Sequence, residues 1–288
     1  MDVVAAAQRI APHIRRTPVL RAEVDGRPLV FKLEHLQRTG SFKLRGALNA
    51  LLGGPVPEHV VTASGGNHGV AVATAARLLG IPATVYVPTT APQAKAALIA
   101  AEGAKLVRVG DTYAEANAAA RAEAGHYVSA YDDPLVVAGQ GTCAAEAVAD
   151  APDIEVFAVA VGGGGLAAGT VLGGGRPVVA VEPEGCCALH HALAAGEPVD
   201  SPVNSVCASA LGATRVGETP FAVLRGSRSE LVTDPETLAA RDRLWTEFRI
   251  AVEPAAAVPF AAWLAGRIDG LTCVILCGAN SDWTPTPR

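Results

Sequence analysis

The sequence predicts an α/β fold in which parallel-rich sheets are flanked by helices. Short β-branched runs alternate with alanine-rich helical stretches, and runs such as VFAVAV and CVIL are apolar throughout. An uninterrupted apolar run is typical of a parallel strand buried on both faces, and the helices between strands supply the crossover connections. The number of strand segments exceeds what one ordinary sheet needs, so we expect two domains with a ligand-binding cleft between them.

The elements follow one another along most of the chain. Strands are predicted on the β-branched and apolar runs, at residues 29–33, 59–63, 83–87, 105–109, 126–129, 156–161, 178–181, 230–233 and 272–276. Helices are predicted between them, at residues 41–52, 67–79, 92–101, 113–124, 139–149, 166–172, 187–194, 235–248 and 255–265. We expect residues 58–133 to form a small domain, inserted into a large domain built from residues 1–57 and 134–288.

Composition excludes several classes of protein. Half of the 288 residues are hydrophobic and mean hydropathy is +0.30, which is typical of a globular chain. Net charge is −5 with scattered basic residues, so no nucleic-acid partner is expected. Every apolar stretch is broken by charge, Gly or Pro, so no membrane partner is expected either. The N-terminal charge order is the reverse of a secretory signal, which predicts a cytoplasmic protein. Six cysteines form no CxxC pair, which predicts buried thiols and no metal site.

Lysine is scarce in this sequence. Only four of the 23 basic residues are lysines, namely Lys32, Lys43, Lys95 and Lys105. Arginine cannot replace a lysine that bonds covalently to a carbonyl carbon, because its guanidinium stays protonated. Lys43 lies in TGSFKLRGA, where Gly40 loosens a turn and Ser41 is a suitable N-cap. Taken alone, Lys43 is better explained as a solvated residue on an amphipathic helix, since most lysines are surface groups.

Two glycine-rich loops each follow an apolar strand and open a helix. The SGGNHG motif consists of Ser64, Gly65 and Gly66, followed by Asn67 and His68 at the predicted helix start. Its free backbone N–H groups suit a carboxylate ligand. The alternatives are an ordinary strand-to-helix turn and a His68 with a purely structural role. In VGGGGL, the glycines suit a phosphate, because four in succession are hard to explain by packing alone. No Gly-Lys-Ser/Thr follows, so this is not a Walker loop. The phosphate-binding residues are predicted to be Gly162, Gly163, Gly164, Gly165 and Leu166.

A fourth motif, CGAN, starts at Cys277 directly after the last predicted strand. Cys277 could present its thiol to a ligand or be a small buried residue. SFKLRGA, SGGNHG, GGGGL and CGAN, in this order, resemble the threonine/serine dehydratases of the fold-type II pyridoxal-phosphate (PLP) enzymes, which include serine racemase. VVAGQGT, VAVEP, VCASALG and VEPAAA, at residues 136–142, 179–183, 206–212 and 252–257, extend the resemblance over nearly the whole chain.

The resemblance implies a role for each motif. Lys43 holds PLP as a Schiff base, Phe42 packs against its ring, Asn67 bonds the ring hydroxyl and Cys277 faces the pyridine nitrogen. The cofactor-binding residues also include the tetraglycine loop with Leu166 and Glu253 of VEPAAA. Ser64, Gly65, Gly66, Asn67 and His68 surround the substrate carboxylate. The implied protein is a homodimer with PLP in the interdomain cleft. It converts L-threonine or L-serine to a 2-oxo acid and ammonia by β-elimination, with Lys43 as the catalytic base.

Departures from the family pattern keep alternatives open. Serine racemases that resemble this chain carry a second serine where Gly65 stands, so a dehydratase is favoured over a racemase. The family's divalent-metal site uses the Glu of VEP, here Glu182, but Ala188 stands where a second carboxylate is expected, so no bound metal is expected. Asn204 replaces an acidic residue, which leaves the substrate open to another 3-hydroxy amino acid, bulkier or acidic. A non-catalytic phosphate- or nucleotide-binding protein is the alternative from a different class.

Overall fold

The computed structural model describes residues 1–91, 93–281 and 283–284, with the side chains of residues 94 and 95 excepted. Its strands are β1 (Val19–Val24), β2 (Arg27–Lys32), β3 (Val60–Ala63), β4 (Ala83–Val87), β5 (Lys105–Arg108), β6 (His126–Tyr127), β7 (Val156–Ala160), β8 (Val178–Pro183), β9 (Arg228–Val232) and β10 (Thr272–Ile275). The predicted α/β class is confirmed, because nearly all strand pairs are parallel and helices separate most consecutive strands.

The helices lie between the strands in the order that the sequence predicts. They are α1 (Val3–Ile10), α2 (Lys43–Leu52), α3 (Asn67–Leu79), α4 (Gln93–Ala101), α5 (Tyr113–Ala122), α6 (Pro134–Asp150), α7 (Gly165–Gly174), α8 (Ala188–Ala195), α9 (Ala208–Leu211), α10 (Glu218–Leu224), α11 (Asp234–Phe248) and α12 (Pro254–Leu264), with a 3₁₀ helix at Glu34–Leu36. Within the described residues, no helix is long and apolar enough to cross a membrane.

The strands form two separate sheets. The larger has the order β1-β2-β10-β7-β8-β9, and only the β1–β2 pair is antiparallel. The smaller has the order β5-β4-β3-β6 and is parallel throughout. All strands of the smaller sheet come from residues 60–127, inside the predicted small domain. The domain boundaries themselves stay a prediction.

Each sheet has its own hydrophobic core. The larger core surrounds β7, β8 and β10 and includes Phe31, Phe157 and Trp263. The smaller core surrounds β3 and β4, and it also contains Leu44, Leu48 and other apolar side chains of α2. Helix α2 therefore packs with the smaller sheet, although the predicted division assigns it to residues 1–57. The segment that starts at Lys43 thus joins the two sheets.

Several elements were not predicted from the sequence, and for one of them the signal was present. β1 pairs with β2 in a hairpin whose turn residues, Asp25 and Gly26, have φ of 53° and 73°. Asp-Gly is the sequence preferred in such two-residue turns, so the hairpin was recognisable. Helix α6 begins at Pro134 rather than 139, because Asp133 Oδ1 accepts the N–H groups of Leu135 and Val136. α1, α9 and α10 were also missed, and the predicted start of α4 at Pro92 lies outside the described residues.

Candidate active site

Lys43 lies at the first position of α2, against the loop that follows β10. Gly40 adopts a left-handed φ of 71°, and a side chain there would overlap Asn280. The Phe42 N–H donates to the Cys277 carbonyl over 3.1 Å, and the Ala279 N–H donates to the Gly40 carbonyl over 2.9 Å. The SFKLRGA and CGAN motifs, from opposite ends of the sequence, are thereby fixed side by side.

The Lys43 amine is partly buried and points toward the chain that enters α6. Its Nζ donates to the Ala130 carbonyl over 2.8 Å and lies 5.1 Å from the centre of the Phe42 ring. Burial lowers the pKa of Lys43 to about 8, while the nearby Cys277 and Glu253 partly oppose the shift. A substantial fraction of the amine is therefore neutral, and nucleophilic, near pH 8.

Two of the other lysines are placed differently. Lys32 is fully buried, and its Nζ is 2.7 Å from Glu146 Oε2 and 2.6 Å from the Thr17 carbonyl. Lys105 is exposed on β5. Among the lysine side chains that the structure describes, only that of Lys43 is partly buried.

Asn67 links the two sheets at the same place. Its Nδ2 donates to Glu253 Oε1 over 2.8 Å, and its Oδ1 accepts Asn280 Nδ2 over 2.9 Å. Glu253 is buried just before α12, and a side chain at Gly278 would overlap its carboxylate. Asn280 was not among the predicted site residues, although it belongs to the CGAN motif. Glu253 and Cys277 both act electrostatically on the Lys43 amine, and Asn67 is hydrogen-bonded to Glu253.

The Cys277 thiol is buried at the carboxyl end of β10. Burial is the main reason its pKa is raised above the ordinary range, and Glu253 adds to the shift. The thiol is neutral, unlike a carboxylate at the same place. Sequence analysis left open whether Cys277 faces a ligand or only fills space. The structure places it beside Lys43, and its contact with a ligand stays a prediction.

The SGGNHG loop leads from β3 into α3, whose N-terminus has no side-chain cap. Ser64 Oγ accepts the Gly66 N–H over 3.2 Å, which holds the turn closed. The remaining N–H groups at the helix start make an anion site. The His68 imidazole turns away from it, because Nε2 lies 3.0 Å from Thr62 Oγ1 and 3.1 Å from the Val128 carbonyl. Burial and the Lys43 charge lower the pKa of His68 to about 3, so the ring is neutral.

The tetraglycine loop leads from β7 into α7, which also begins without a side-chain cap. A side chain at Gly163 would overlap the ring of Tyr131, and one at Gly165 would lie 3.1 Å from Tyr131 Cα. A Cβ on Gly162 would lie 3.0 Å from Leu211 Cα, and Gly164 has a left-handed φ of 93°. Packing therefore explains the four glycines more fully than we expected from the sequence. The free N–H groups at the helix start remain suited to a phosphate.

Tyr131 connects this loop to Lys43. Ala130 accepts the Lys43 amine, and the next residue, Tyr131, lies on Gly163 and Gly165. Neither Ala130 nor Tyr131 was predicted, because nothing in the SAYDD segment signals a ligand site. The structure thus gathers the lysine, the neutral thiol and two uncapped helix starts around one cleft.

This arrangement defines a class of protein. Residues 10–278 match the model of a family described as pyridoxal-phosphate dependent enzyme, and the chain belongs to that family, in its two-domain fold-type II form. PLP needs an amine, a phosphate site and a partner for its ring nitrogen. Lys43, the uncapped α7 start and Cys277 fit these three needs.

Particular relatives narrow the comparison. The chain is 38% identical to an L-threonine ammonia-lyase of Geobacter sulfurreducens, over 96% of this chain and 74% of that protein. It is 35% identical to a beta-hydroxyaspartate dehydratase of Paracoccus denitrificans, over 99% of this chain and 97% of that protein. Among solved structures it is similar to a threonine deaminase from T.th., with 36% identity, a TM-score of 0.91 and 99% of each chain covered.

The residues near Glu182 do not form an obvious metal site. Both Glu182 oxygens accept N–H groups at the start of α8, from Leu189 over 2.9 Å and from His190 over 2.8 Å. Burial raises the pKa of Glu182 to about 8, although these hydrogen bonds oppose the shift. No cluster of three or more His, Cys, Asp or Glu suited to a metal occurs among the described residues. Glu182 thus caps the start of α8, and the absence of a bound metal stays a prediction.

The lowered pKa of Lys43 predicts how the apoprotein takes up its cofactor. Only the neutral amine attacks an aldehyde, so the rate of PLP uptake should rise with pH, with a midpoint near the Lys43 pKa of about 8. An ordinary lysine would give a midpoint near 10.5. Stopped-flow absorbance after mixing apoprotein with PLP at a series of pH values measures this midpoint. A rate that still rises steeply above about pH 9.5 would contradict the environment assigned to Lys43.

Proposed function

We propose that this protein is a PLP-dependent ammonia-lyase that converts a small β-hydroxy amino acid, L-threonine or L-serine, to a 2-oxo acid and ammonia. The observation that carries the proposal is the position of Lys43, with a partly neutral amine between a neutral thiol and two uncapped helix starts. The similarity to an L-threonine ammonia-lyase and to a threonine deaminase supports the reaction class.

In this proposal the cofactor contacts the residues predicted from the sequence. Lys43 holds the aldehyde carbon, Phe42 lies against the ring, and the N–H groups of the tetraglycine loop and Leu166 hold the phosphate. Asn67 and Glu253 flank the ring, and Cys277 lies at the ring nitrogen. The hydrogen bond between Asn67 and Glu253 supports this assignment, since it fixes both side chains beside Lys43.

Substrate binding is assigned to the α3 start. The N–H groups of the SGGNHG loop bind the α-carboxylate, and Ser64 and the two glycines shape the loop around it. His68 contributes its backbone and holds the loop against the chain after β6, because its imidazole is already bound to Thr62 and Val128.

The chain's own groups then move the protons. The freed Lys43 amine removes the proton from the substrate Cα, and the ammonium so formed returns a proton to the β-hydroxyl, which departs as water. One water then hydrolyses the remaining enamine to the 2-oxo acid and ammonia. When bound, PLP supplies the electron sink that makes this proton acidic. The neutral Cys277 thiol does not protonate the ring nitrogen as a carboxylic acid would, which favours prompt elimination over long-lived carbanion chemistry such as transamination.

The proposal extends to the assembly and the compartment. We propose that residues 58–133 form the small domain and that motion of this domain closes the SGGNHG loop over the substrate. A homodimer is proposed from the family resemblance, and sedimentation velocity measures it. A reducing, cytoplasmic compartment is supported by the six cysteines, which are all free and buried.

A panel of substrates tests the reaction. Holoenzyme is incubated with L-threonine, L-serine, their D-enantiomers and L-alanine, and 2-oxo acid and ammonia are measured together. We expect equal amounts of both products from L-threonine or L-serine and none from L-alanine, which has no leaving group. A yellow holoenzyme that releases neither product from any hydroxy-amino acid would overturn the proposed function.

Racemisation is the second candidate, and it is supported by similarity to serine racemases of Arabidopsis thaliana and Rattus norvegicus, at 32% and 34% identity. Two-base racemisation needs a proton donor on the cofactor face opposite Lys43. By the family resemblance that donor is a serine at the position of Gly65, which has no side chain.

The substitution Gly65→Ser tests this reasoning. A Cβ at Gly65 would meet Ala91 Cβ at 3.5 Å and Val87 Cγ1 at 3.7 Å, which are ordinary contacts, so the variant should fold normally. We expect D-serine formation from L-serine to rise about tenfold or more, since a positioned acid–base group contributes roughly 10²–10⁴-fold. Chiral chromatography measures it, with Gly65→Ala as the control. Equal D-serine formation by the two variants would contradict the assignment.

A further inference from the structure

A polar cavity of about 180 Å³ is lined by residues of α5 and of the segments 127–132 and 215–218, and by no residue of either glycine-rich loop. Ala130 lines it and also accepts the hydrogen bond from Lys43 Nζ. Tyr113 and Arg121 of α5 line it, together with Arg215 in the loop before α10, and both arginines are exposed to solvent. A single water needs about 10–15 Å³ of such volume, so the cavity admits a group of several heavy atoms.

Three phenols converge on this cavity. Tyr113, Tyr127 and Tyr131 all line it, and the Arg121 charge acts on each of them. Burial is the main cause that raises the pKa of all three phenols. They therefore stay protonated and present O–H donors. The Tyr127 hydroxyl already donates to Asn117 over 2.5 Å, and the Tyr131 hydroxyl donates to the Arg215 carbonyl over 3.5 Å. Tyr113, which is 49% exposed, is therefore the freer donor among the three.

Two arginines and two carboxylates line the cavity, so their charges balance, and Arg121 is the cation available to an anion. Arg121 stacks on the Tyr127 ring at 4.2 Å and makes no ion pair with a carboxylate in the described part of the chain. Arg215 Nη1 is 3.2 Å from Asp200, which is 79% exposed. The two carboxylates are those of Asp132 and Glu218. Asp132 accepts the N–H groups of Glu218 and Thr219 and so caps α10, while Glu218 is exposed to solvent.

We infer that this cavity receives the β-substituent of the substrate and selects a carboxylate there, with Arg121 as the specificity-determining residue. The inference rests on the proposed function: it keeps the ammonia-lyase reaction but replaces L-threonine or L-serine, as the preferred substrate, by β-hydroxy amino acids that carry a second carboxylate, as in 3-hydroxyaspartate. The α3 start binds the α-carboxylate, and the Arg121 cavity binds the second one. A guanidinium with phenol donors is a strong carboxylate site, because charge-assisted hydrogen bonds are roughly twice as strong as neutral ones.

The similarity to two enzymes with such substrates is consistent with this inference. The beta-hydroxyaspartate dehydratase of Paracoccus denitrificans has been described above, and an L-threo-3-hydroxyaspartate ammonia-lyase of Saccharomyces cerevisiae is 32% identical over 98% of this chain. Similarity to relatives does not decide between acidic and neutral substrates, since two threonine enzymes are 38% and 34% identical to this chain.

The test compares two substrates in the wild-type holoenzyme and in Arg121→Gln. We expect wild-type kcat/KM for L-threo-3-hydroxyaspartate to exceed that for L-serine at least tenfold. In Arg121→Gln this ratio should fall tenfold or more, mainly through KM, and Arg121→Lys should restore part of it. The control Arg77→Gln removes an exposed arginine of α3 that pairs with Glu102, and it should keep the wild-type ratio.

Binding of a non-reactive ligand gives a second readout. Calorimetric titration of the holoenzyme with succinate, against butyrate as the monocarboxylate, should show tighter succinate binding that Arg121→Gln removes. An unchanged substrate ratio in a folded Arg121→Gln variant would overturn the inference, and so would a wild-type preference for L-serine. Both results leave the ammonia-lyase proposal standing, whereas no turnover of any hydroxy-amino acid would refute the proposed function itself.

Discussion

Lys43→Ala should lose about 10³-fold or more of its ammonia-lyase activity and should not hold PLP covalently. The reason is that the amine acts twice, as the group that binds the cofactor and as the base that removes the α-proton. No other described lysine can replace it, since Lys32 is locked in a buried ion pair and Lys105 is exposed on β5. Rates of 2-oxo acid release, with the absorbance spectrum of the purified variant, measure both effects.

The matched control is Lys105→Ala, which removes an exposed amine on the smaller sheet, away from the Lys43 cleft. This variant should keep the wild-type activity and absorbance, because the Lys105 side chain is exposed on β5. If Lys43→Ala retained turnover within tenfold of the wild type, Lys43 would not be the base. Colour without turnover would show that PLP binds without covalent attachment and would leave the base assignment intact.

Arg45→Met should reduce the free energy of unfolding by about 3–5 kcal/mol, the usual effect of breaking a buried ion pair. Arg45 is fully buried two residues after Lys43. Its guanidinium binds Glu34 over 2.6 and 3.0 Å, Glu146 over 2.8 and 2.8 Å, and Thr142 over 3.0 Å. Lys32 also binds Glu146 over 2.7 Å, so two cations balance two carboxylates. Methionine would leave Glu34 buried without a cation.

The same network positions the active-site helix. Glu34 lies in the 3₁₀ helix after β2 and Glu146 lies on α6, so Arg45 fixes α2, and with it Lys43, against both. Hydrogen bonds and charge from Arg45 and Lys32 hold the pKa of Glu146 below its usual value of 4.5, although burial acts in the opposite direction. The stability that this carboxylate contributes is therefore present above pH 4.5 and is lost as the pH falls further.

Chemical denaturation of three variants checks the prediction. Arg45→Lys keeps the charge but not the forked geometry, so it should lie between the wild type and Arg45→Met. Arg77→Met, which breaks an exposed pair with Glu102, should cost less than about 1 kcal/mol. A loss in Arg45→Met no greater than in Arg77→Met would show that the buried network does not stabilise the fold.

The sequence alone predicted those elements and site residues for which a local hydrophobic pattern or a motif was present. The apolar runs predicted nine of the ten strands in the described part of the chain. A buried parallel strand can be recognised from its own sequence, without knowing which strand it pairs with. The helix Asn67–Leu79 was predicted with the bounds that the structure shows. The four motifs and VEPAAA placed Lys43, Asn67, Glu253 and Cys277 in one site, and the structure brings these four together.

The rest of the site depends on contacts between distant segments. Ala130 and Tyr131 carry no motif, and their contacts with Lys43 and Gly163 exist only once the chain before α6 lies in the cleft. The tetraglycine run was assigned to phosphate binding on conformational grounds, but the Tyr131 ring also requires Gly163. No sequence signal indicated the role of Arg45, since nothing in the sequence brings Glu34 and Glu146 to that side chain.

The site of covalent cofactor attachment decides whether Lys43 has the role assigned to it. The holoenzyme is reduced with borohydride and digested, and the peptides are sequenced by mass spectrometry. We expect the pyridoxyl label on Lys43 and loss of that label in Lys43→Ala. A label on Lys32, Lys95 or Lys105 in the native protein, or no label in a protein saturated with PLP, would contradict that role.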